Sequence, residues 1–464
     1  MKKTVKIIGW SLILMSVFSA LAAREEKQLP PEGGIPKNFA LPAKEHFRLD
    51  NGLSATLVSY GQIPKVTVQI VVRSGNLNEP ANEVWLADMT GKLMKEGTKS
   101  RSAQQITAAS ARMGGGVNTG VGMDLSTIGG SVLSEFGPDY IRLIADIAQN
   151  PLFPEAELER LKKDFLRTLS IQLSQPQILA LAEFRKAIYD NHPYGRILST
   201  AEMIQGFTAE KIRAFYAANF GAARAHIYVV GQFNAQAAKE AIRKSFSGWK
   251  RGPAPLILPA KTDTHRSLHI VDRPGSQQST MYIGLPVPDP SHKDSLALGA
   301  MNTMLGGGSF LSRITANIRE KRGYTYSPFS ALSPQYRDAY WFQFASVGNA
   351  VTAPALKEIL YEIDRLRQEP PSEAELKNIQ NFMCGTFVLS NSSREGILSA
   401  LSFQDFHGLP DYLTTYVQKV RALTPKDIQR VAQDYLKPEK LIIVIVGDKK
   451  EIADSLKEYG PLVN

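Results

Sequence analysis

The first long patterned stretch of the chain alternates apolar and polar side chains with period two. Phe47 to Asn51 leads into Asn51-Gly52, a pair suited to the positive backbone angles of a tight hairpin turn. Leu53 to Val58 and Val66 to Val72 continue the alternation, which predicts strands that bury one face. Two further runs, His226 to Val230 and Leu441 to Val446, also read as strands and lead into Gly231 and Gly447. A helical pattern follows each glycine, over Ala235 to Phe246 and over Glu451 to Tyr459.

These runs belong to an internal repeat. The pairs Thr208/Thr424, Ile212/Ile428 and Gly231/Gly447 are each 216 residues apart, with no gap between them. Upstream, Glu155 to Leu158 recurs as Glu373 to Leu376 at an offset of 218. Thr208 and Thr424 are placed to cap helices, because a threonine hydroxyl accepts from the free amides of a first helical turn. Each half therefore reads as a helix-and-sheet unit, residues 44–250 and 267–464, joined by a connector over 251–266. A duplication of this kind builds a cavity where the two domains face each other, and such junctions favour ligand sites.

Residues 1–22 read as a signal peptide. Lys2, Lys3 and Lys6 form a basic start, Ile7 to Leu21 is mostly apolar, and Ala20-Leu21-Ala22 gives the small-x-small cleavage pattern. The apolar run falls short of the roughly 20 residues that a membrane span needs. Residues 23–43 are polar, with four prolines and a Gly33-Gly34 pair, and read as a linker. The expectation is an exported protein, periplasmic or secreted, with no stable membrane span after cleavage.

Composition narrows the chemistry. The formal charge of +10 falls to +7 without the three lysines of residues 1–22, and the basic residues are scattered rather than clustered. Nucleic-acid binding would want a basic stripe with interleaved aromatics, so no nucleic-acid partner is expected. The charge supports only a mild preference for acidic peptides or an acidic partner. The single cysteine, Cys384, excludes an internal disulfide and a cysteine-rich metal cage, and its apolar helical surroundings predict a buried packing thiol. His265 and His269 have helical ligand spacing, but Leu268 to Asp272 reads as a strand, where residues four apart lie about 13 Å from each other. His192, before Pro193, is read as a packing or hydrogen-bonding residue. Neither a P-loop nor a G-x-S-x-G pattern occurs in the chain.

Several segments, in order and at consistent spacing over nearly all of residues 44–460, resemble the M16 peptidases (pitrilysin/insulinase type, mitochondrial-processing-peptidase-like, M16B-type). Glu96 to Ile106 resembles the segment after the family's zinc helix, and Gly114 to Thr119 its edge strand. Asn150 to Glu155 and His192 to Gly195 resemble the helices that follow. In the second half, Leu305 to Arg313 and Arg319 to Ser327 resemble another pair of hallmarks. The resemblance implies an α+β fold of two duplicated metalloenzyme (LuxS/M16)-like domains. Each would be a mixed, mostly antiparallel sheet with helices packed on one face, the two facing each other around a cavity.

Family enzymes bind zinc through H-x-x-E-H, with the glutamate as general base and a further glutamate about 75 residues on as a ligand. Aligned on Glu96-Gly97-Thr98, those helix positions fall on Asp88, Gly91 and Lys92, and the distal ligand on Thr168 or Leu169. Lysine puts a cation where the metal would sit, glycine offers no base, and neither distal candidate carries a carboxylate. Thus no metal and no catalytic residue is expected in this chain. Asp88 and Lys92 stand one turn apart with acid before base, so either an internal ion pair fills the vacated position or both point into solvent.

The resemblance implies that the substrate-holding pair survives as Arg319 and Tyr326, whose guanidinium and phenol can donate to a peptide carbonyl. The alternative is a surface salt bridge for Arg319 and core packing for Tyr326. Gly306, Gly307 and Gly308 would allow a close, flexible turn near substrate. Asn118 and Thr119 sit on the strand that pairs with extended peptide in family enzymes. The expected function is a non-catalytic, substrate-positioning subunit of an exported heterodimeric zinc metallopeptidase acting on unfolded peptides. Its partner would be a homologous subunit that carries H-x-x-E-H and the zinc. The competing expectation is a peptide-binding or structural assembly protein with no peptidase role.

Overall fold

A computed structural model describes residues 40–463 of the 464-residue chain. The signal-peptide reading and most of the linker lie outside the described residues. The first sheet contains β1 (Lys44–Arg48), β2 (Ser54–Ser59), β3 (Lys65–Val72), β4 (Asn118–Val121), β5 (Ser126–Leu133) and β6 (Ala225–Gly231), in the order β1-β2-β6-β3-β5-β4. The second contains β7 (Ser267–Asp272), β8 (Gln278–Val287), β9 (Phe329–Gln335), β10 (Asp338–Gly348), β11 (Ile442–Gly447) and β12 (Leu462–Val463), in the order β12-β7-β11-β8-β10-β9. The expected hairpin closes at Gly52, whose φ of +98° explains the glycine, and Arg48 stands opposite Ser54.

The duplication is explicit in the strand pairing. β2 pairs parallel with β6 as β7 does with β11, and the strands beyond β6 and β11 are antiparallel. The edges differ: β1 is antiparallel to β2, whereas β12 comes from the C-terminus and runs parallel to β7. Both sheets are thus mixed and mostly antiparallel, and the fold is α+β.

Ten of the longer helices carry the argument: α1 (Leu86–Leu93), α2 (Gly137–Gln149), α3 (Glu155–Ser174), α4 (Pro176–Tyr189), α5 (Ala209–Asn219), α6 (Ala235–Phe246), α7 (Thr352–Gln368), α8 (Glu373–Ser390), α9 (Arg394–His407) and α10 (Pro425–Tyr435). Thr208 and Thr424 cap α5 and α10 as expected, accepting from the amides of Lys211 and Asp427. Residues 251–266, read from the sequence as a connector, contain no helix or strand. Cys384 is buried in α8, and burial pushes its thiol pKa up.

Each sheet packs its own half's helices on one face. The other face is covered by a helix from the opposite half. α4 lays Ala180, Phe184, Ile188 and Tyr189 against Tyr282, Tyr340, Ile442, Val444 and Val446 of the second sheet. α9 packs Ile397, Leu398 and Leu401 into the cluster that holds Val58, Val71, Tyr228 and Val230 of the first. This exchange explains why β11 is an unbroken apolar run rather than an alternating one. Ile443 and Ile445 enter one core while Ile442, Val444 and Val446 enter another.

Polar groups tie the halves together at the same surfaces. Glu395 of α9 accepts hydrogen bonds from Thr67 (2.8 Å) and Ser131 (2.7 Å), and Tyr228 donates to Asp405 (2.9 Å). Asp124, which also accepts from Tyr194 of its own half (2.6 Å), takes the Tyr336 amide across the junction (3.3 Å), and Tyr189 donates to Asp338. Between the first sheet and α9 lies a cavity of about 560 Å³, lined by Thr67, Gln69, Thr127, Ser399, Phe403 and His407 among others.

Candidate functional site

Two groups of residues carry the candidate chemistry. The first is on α1, where Asp88, Gly91 and Lys92 stand. The ion pair considered between Asp88 and Lys92 is not formed. Lys92 is exposed, and Asp88 instead accepts from the Asn76 amide at 2.7 Å. The same amide nitrogen donates to Glu79 at 3.0 Å, and Glu79 also accepts from the Ala87 amide at 2.8 Å in the first turn of α1. The competing picture, both side chains in solvent, holds only for Lys92.

Burial dominates the acidity of this pair. It pushes Glu79, 6% exposed, up to about 8, with Asp88 adding to the shift, and it raises Asp88 as well. Sequence reasoning passed over Asn76 and Glu79, and their only signal was an acid and an amide three residues apart ahead of the helix. Trp85, just before α1, adopts φ +77°, a strained setting for a bulky residue. It is held by its indole N–H to the Ile197 carbonyl (3.0 Å) and an edge contact with Phe165 of α3.

Gly91 has a physical reason beyond the loss of a base. A Cβ there would stand 2.8 Å from Cγ2 of Val121 on β4, so α1 and the edge strand approach too closely for a side chain. Thr168 is exposed on α3, its hydroxyl turned back to the Asp164 carbonyl (2.9 Å), while Leu169 is the buried neighbour. Among the described residues, no three His, Cys, Asp or Glu side chains are grouped to hold a metal ion. The donor set on α1 does not fit zinc: a carboxyl tied to an amide, a glycine pressed on a valine and a lysine in solvent.

His265 is exposed, whereas His192 and His269 have structural partners. His192 bonds the Leu258 carbonyl (3.0 Å) and takes the Tyr194 amide (3.2 Å), and His269 sits on β7 facing Glu183 of α4 at 3.2 Å.

The second group is in the other half. Arg319 lies on a π-helical segment, Thr315–Lys321, and Tyr326 follows in the loop before β9. The guanidinium carbon of Arg319 is 4.7 Å from the Tyr326 ring centroid and 4.4 Å from that of Phe310. Tyr326 is 80% exposed and Phe310 61%, so the cation is held between two solvent-facing rings, each worth roughly 0.5–1 kcal/mol. Core packing of Tyr326 is thereby excluded, while Arg319 does pair with Glu320 at 3.1 Å. Phe310 is the residue missed here: it lies inside a segment that resembled the family but was given no role.

The glycine run differs from the expected flexible turn. Gly306 is buried at the end of a second π-helical segment, Thr303–Gly307, where a Cβ would meet Gln343 and Ser330 side-chain oxygens at 2.6 Å. Close packing onto β9 and β10 demands that glycine. Gly307 is exposed, but a Cβ there or at Gly308 would also collide with neighbours. Asn118 and Thr119 fall on β4, which is an edge strand bonded only to β5 among the described strands.

Known proteins place this architecture. Residues 56–202 match the model of the insulinase (peptidase M16) family, and residues 206–383 match the peptidase M16 inactive domain. The chain belongs to the M16 peptidase family. It is 26% identical over 432 residues to the zinc protease PqqE of Helicobacter pylori, covering 86% of this chain and 91% of that protein. Its fold matches the peptidase M16 inactive domain from Pseudomonas fluorescens with a TM-score of 0.81 at 23% identity, over 87% of this chain and 98% of that one. It also matches the periplasmic protease PqqL of Escherichia coli, with a TM-score of 0.74 at 18% identity, covering 91% of this chain and 49% of that one.

Proposed function

We propose that this protein is the substrate-positioning, non-catalytic subunit of an exported heterodimeric M16 zinc metallopeptidase acting on unfolded peptides. The observation that carries the reading is the contrast between the two groups. Arg319 and Tyr326 are stacked together with the Tyr326 ring open to solvent and only Nε of the guanidinium paired, to Glu320, whereas α1 offers neither metal ligands nor a base. H-x-x-E-H does not occur in this sequence, so the metal chemistry is assigned to a homologous partner that carries it.

In that arrangement this chain supplies binding and orientation. The Arg319 guanidinium and the Tyr326 hydroxyl donate to the scissile carbonyl, and they strengthen as negative charge develops on its oxygen. Phe310 and Tyr326 hold the guanidinium in plane, which lowers the entropy lost on engaging the substrate. The open edge of β4 offers main-chain groups for an extended peptide. Export rests on the basic, apolar and small-residue pattern of residues 1–22, and the periplasmic protease of similar fold agrees with it. No helix among the described residues is long and apolar enough to cross a membrane.

The test is peptidase activity of the mature chain with and without a co-expressed H-x-x-E-H homologue. Activity confined to the mixture and lost in Arg319→Ala supports the reading. A complex that cleaves equally well with Arg319→Ala and Tyr326→Phe refutes it.

A further inference from the structure

Next to the Arg319 segment, on the side lined by Asn317 and Lys321, lies a cleft of about 540 Å³. Its walls are residues 311–322, α7 and the first turn of α8. Three carboxylates line it, and each is already engaged. Glu375 takes a bidentate grip from Arg313 (2.7 and 2.8 Å). Glu358 pairs with Arg322 at 2.7 Å. Glu362 accepts from Asn317 at 2.7 Å and pairs with Arg365 at 3.3 Å.

The basic side has groups left over. Lys321 and Lys357 line the cleft and have no ion-pair partner among the described residues. Arg313 is 9% exposed, yet its Nη1 has no acceptor. A buried guanidinium nitrogen without an acceptor is costly, and two paired-off walls leave a surplus of positive charge. The ligand that fits is small, rich in acceptors and more than singly negative.

We propose that this cleft binds a small multivalent oxyanion of the phosphate type. The leftover donors come from two elements, the segment 311–322 and α7, and line one half-open cleft rather than spreading over a face, which favours a small anion over an acidic protein surface. The site is separate from the peptide-positioning pair, although Lys321 and Arg322 follow Arg319 by two and three residues, so an occupant would brace the segment that presents it.

The experiment is calorimetric titration of the mature chain with inorganic pyrophosphate at low ionic strength. Saturable one-site binding is expected, weakened at least about tenfold in Lys321→Ala/Lys357→Ala. The melting temperature of that variant should not change, since both lysines are exposed. A control, Lys449→Ala/Lys450→Ala outside the cleft, should bind as the parent does. No saturable binding, undiminished binding in the cleft variant, or equal weakening in the control would overturn the proposal. So would a pyrophosphate-silent cleft whose lysines are needed only for capture of the acidic face of a partner subunit.

Discussion

Glu79 offers a quantitative test of how the region around α1 is built. Its carboxyl accepts from the Ala87 amide and the Asn76 side chain, inside the protein and close to Asp88. The ordinary value of 4.5 is pushed up to about 8, first by burial. At 1.36 kcal/mol for each tenfold in proton affinity, the ionised side chain costs the fold roughly 5 kcal/mol at most. The sign follows from linkage. Between pH 4.5 and about 8 the folded chain keeps a proton that the unfolded chain has released. Stability therefore falls as pH rises across that window and levels off above it.

Glu79→Gln preserves the shape of the protonated acid and its acceptor oxygen but cannot ionise. Variant and parent should melt together near pH 4.5. The variant should gain steadily up to pH 8, reaching a few kilocalories per mole, or a few degrees in Tm for a chain of this length. Differential scanning calorimetry across that range is the assay. A difference that stays constant with pH, or a variant less stable throughout, would show that Glu79 is ionised in the fold and the reasoning wrong.

Other outcomes follow from the same geometry. Gly91→Ala should destabilise by about 1–3 kcal/mol through overpacking against Val121, and Val121→Ala should relieve much of that in a double-mutant cycle measured by chemical denaturation. Because Tyr326 is exposed, Tyr326→Phe should leave Tm unchanged while lowering kcat of the assembled peptidase about 100-fold, as loss of a transition-state donor does. Phe310→Ala should give a smaller loss that Phe310→Tyr restores, since only a stacking ring is needed. Cys384 should resist a thiol reagent in the native protein and react at once in denaturant, because it is buried and its thiolate is disfavoured by burial.

Much of the fold was legible in the residues because duplication leaves a double record. The 216-residue offset marked Thr208 and Thr424 as equivalent caps and β6 and β11 as equivalent strands, and both equivalences hold. The exchange of α4 and α9 between halves was not legible. Periodicity tells which face of an element is buried, but not which distant helix covers it. The apolar run of β11 carried the hint, since a strand buried on both faces needs two covering layers.

At the site, the absence of H-x-x-E-H could be read directly, while Arg319 and Tyr326 were reached through the resemblance, and the structure brings their side chains together. What could not be read was why glycine stands at 91, because Val121 approaches it from a strand 30 residues away in the chain. Nor could the carboxyl pair of Glu79 and Asp88 be foreseen, since it depends on one bridging amide, Asn76. Phe310 shows the same limit: its ring reaches Arg319 through a turn at Ser309 with φ +53°, which sequence pattern does not announce.

The most direct test of the central claim is peptidase activity and zinc content measured in parallel on the purified mature chain, alone and with a co-expressed H-x-x-E-H homologue. The account predicts cleavage of an unfolded peptide by the mixture only, zinc carried by the partner only, and loss of cleavage in Arg319→Ala. Stoichiometric zinc on this chain by itself, or peptide cleavage by it alone, would contradict the account.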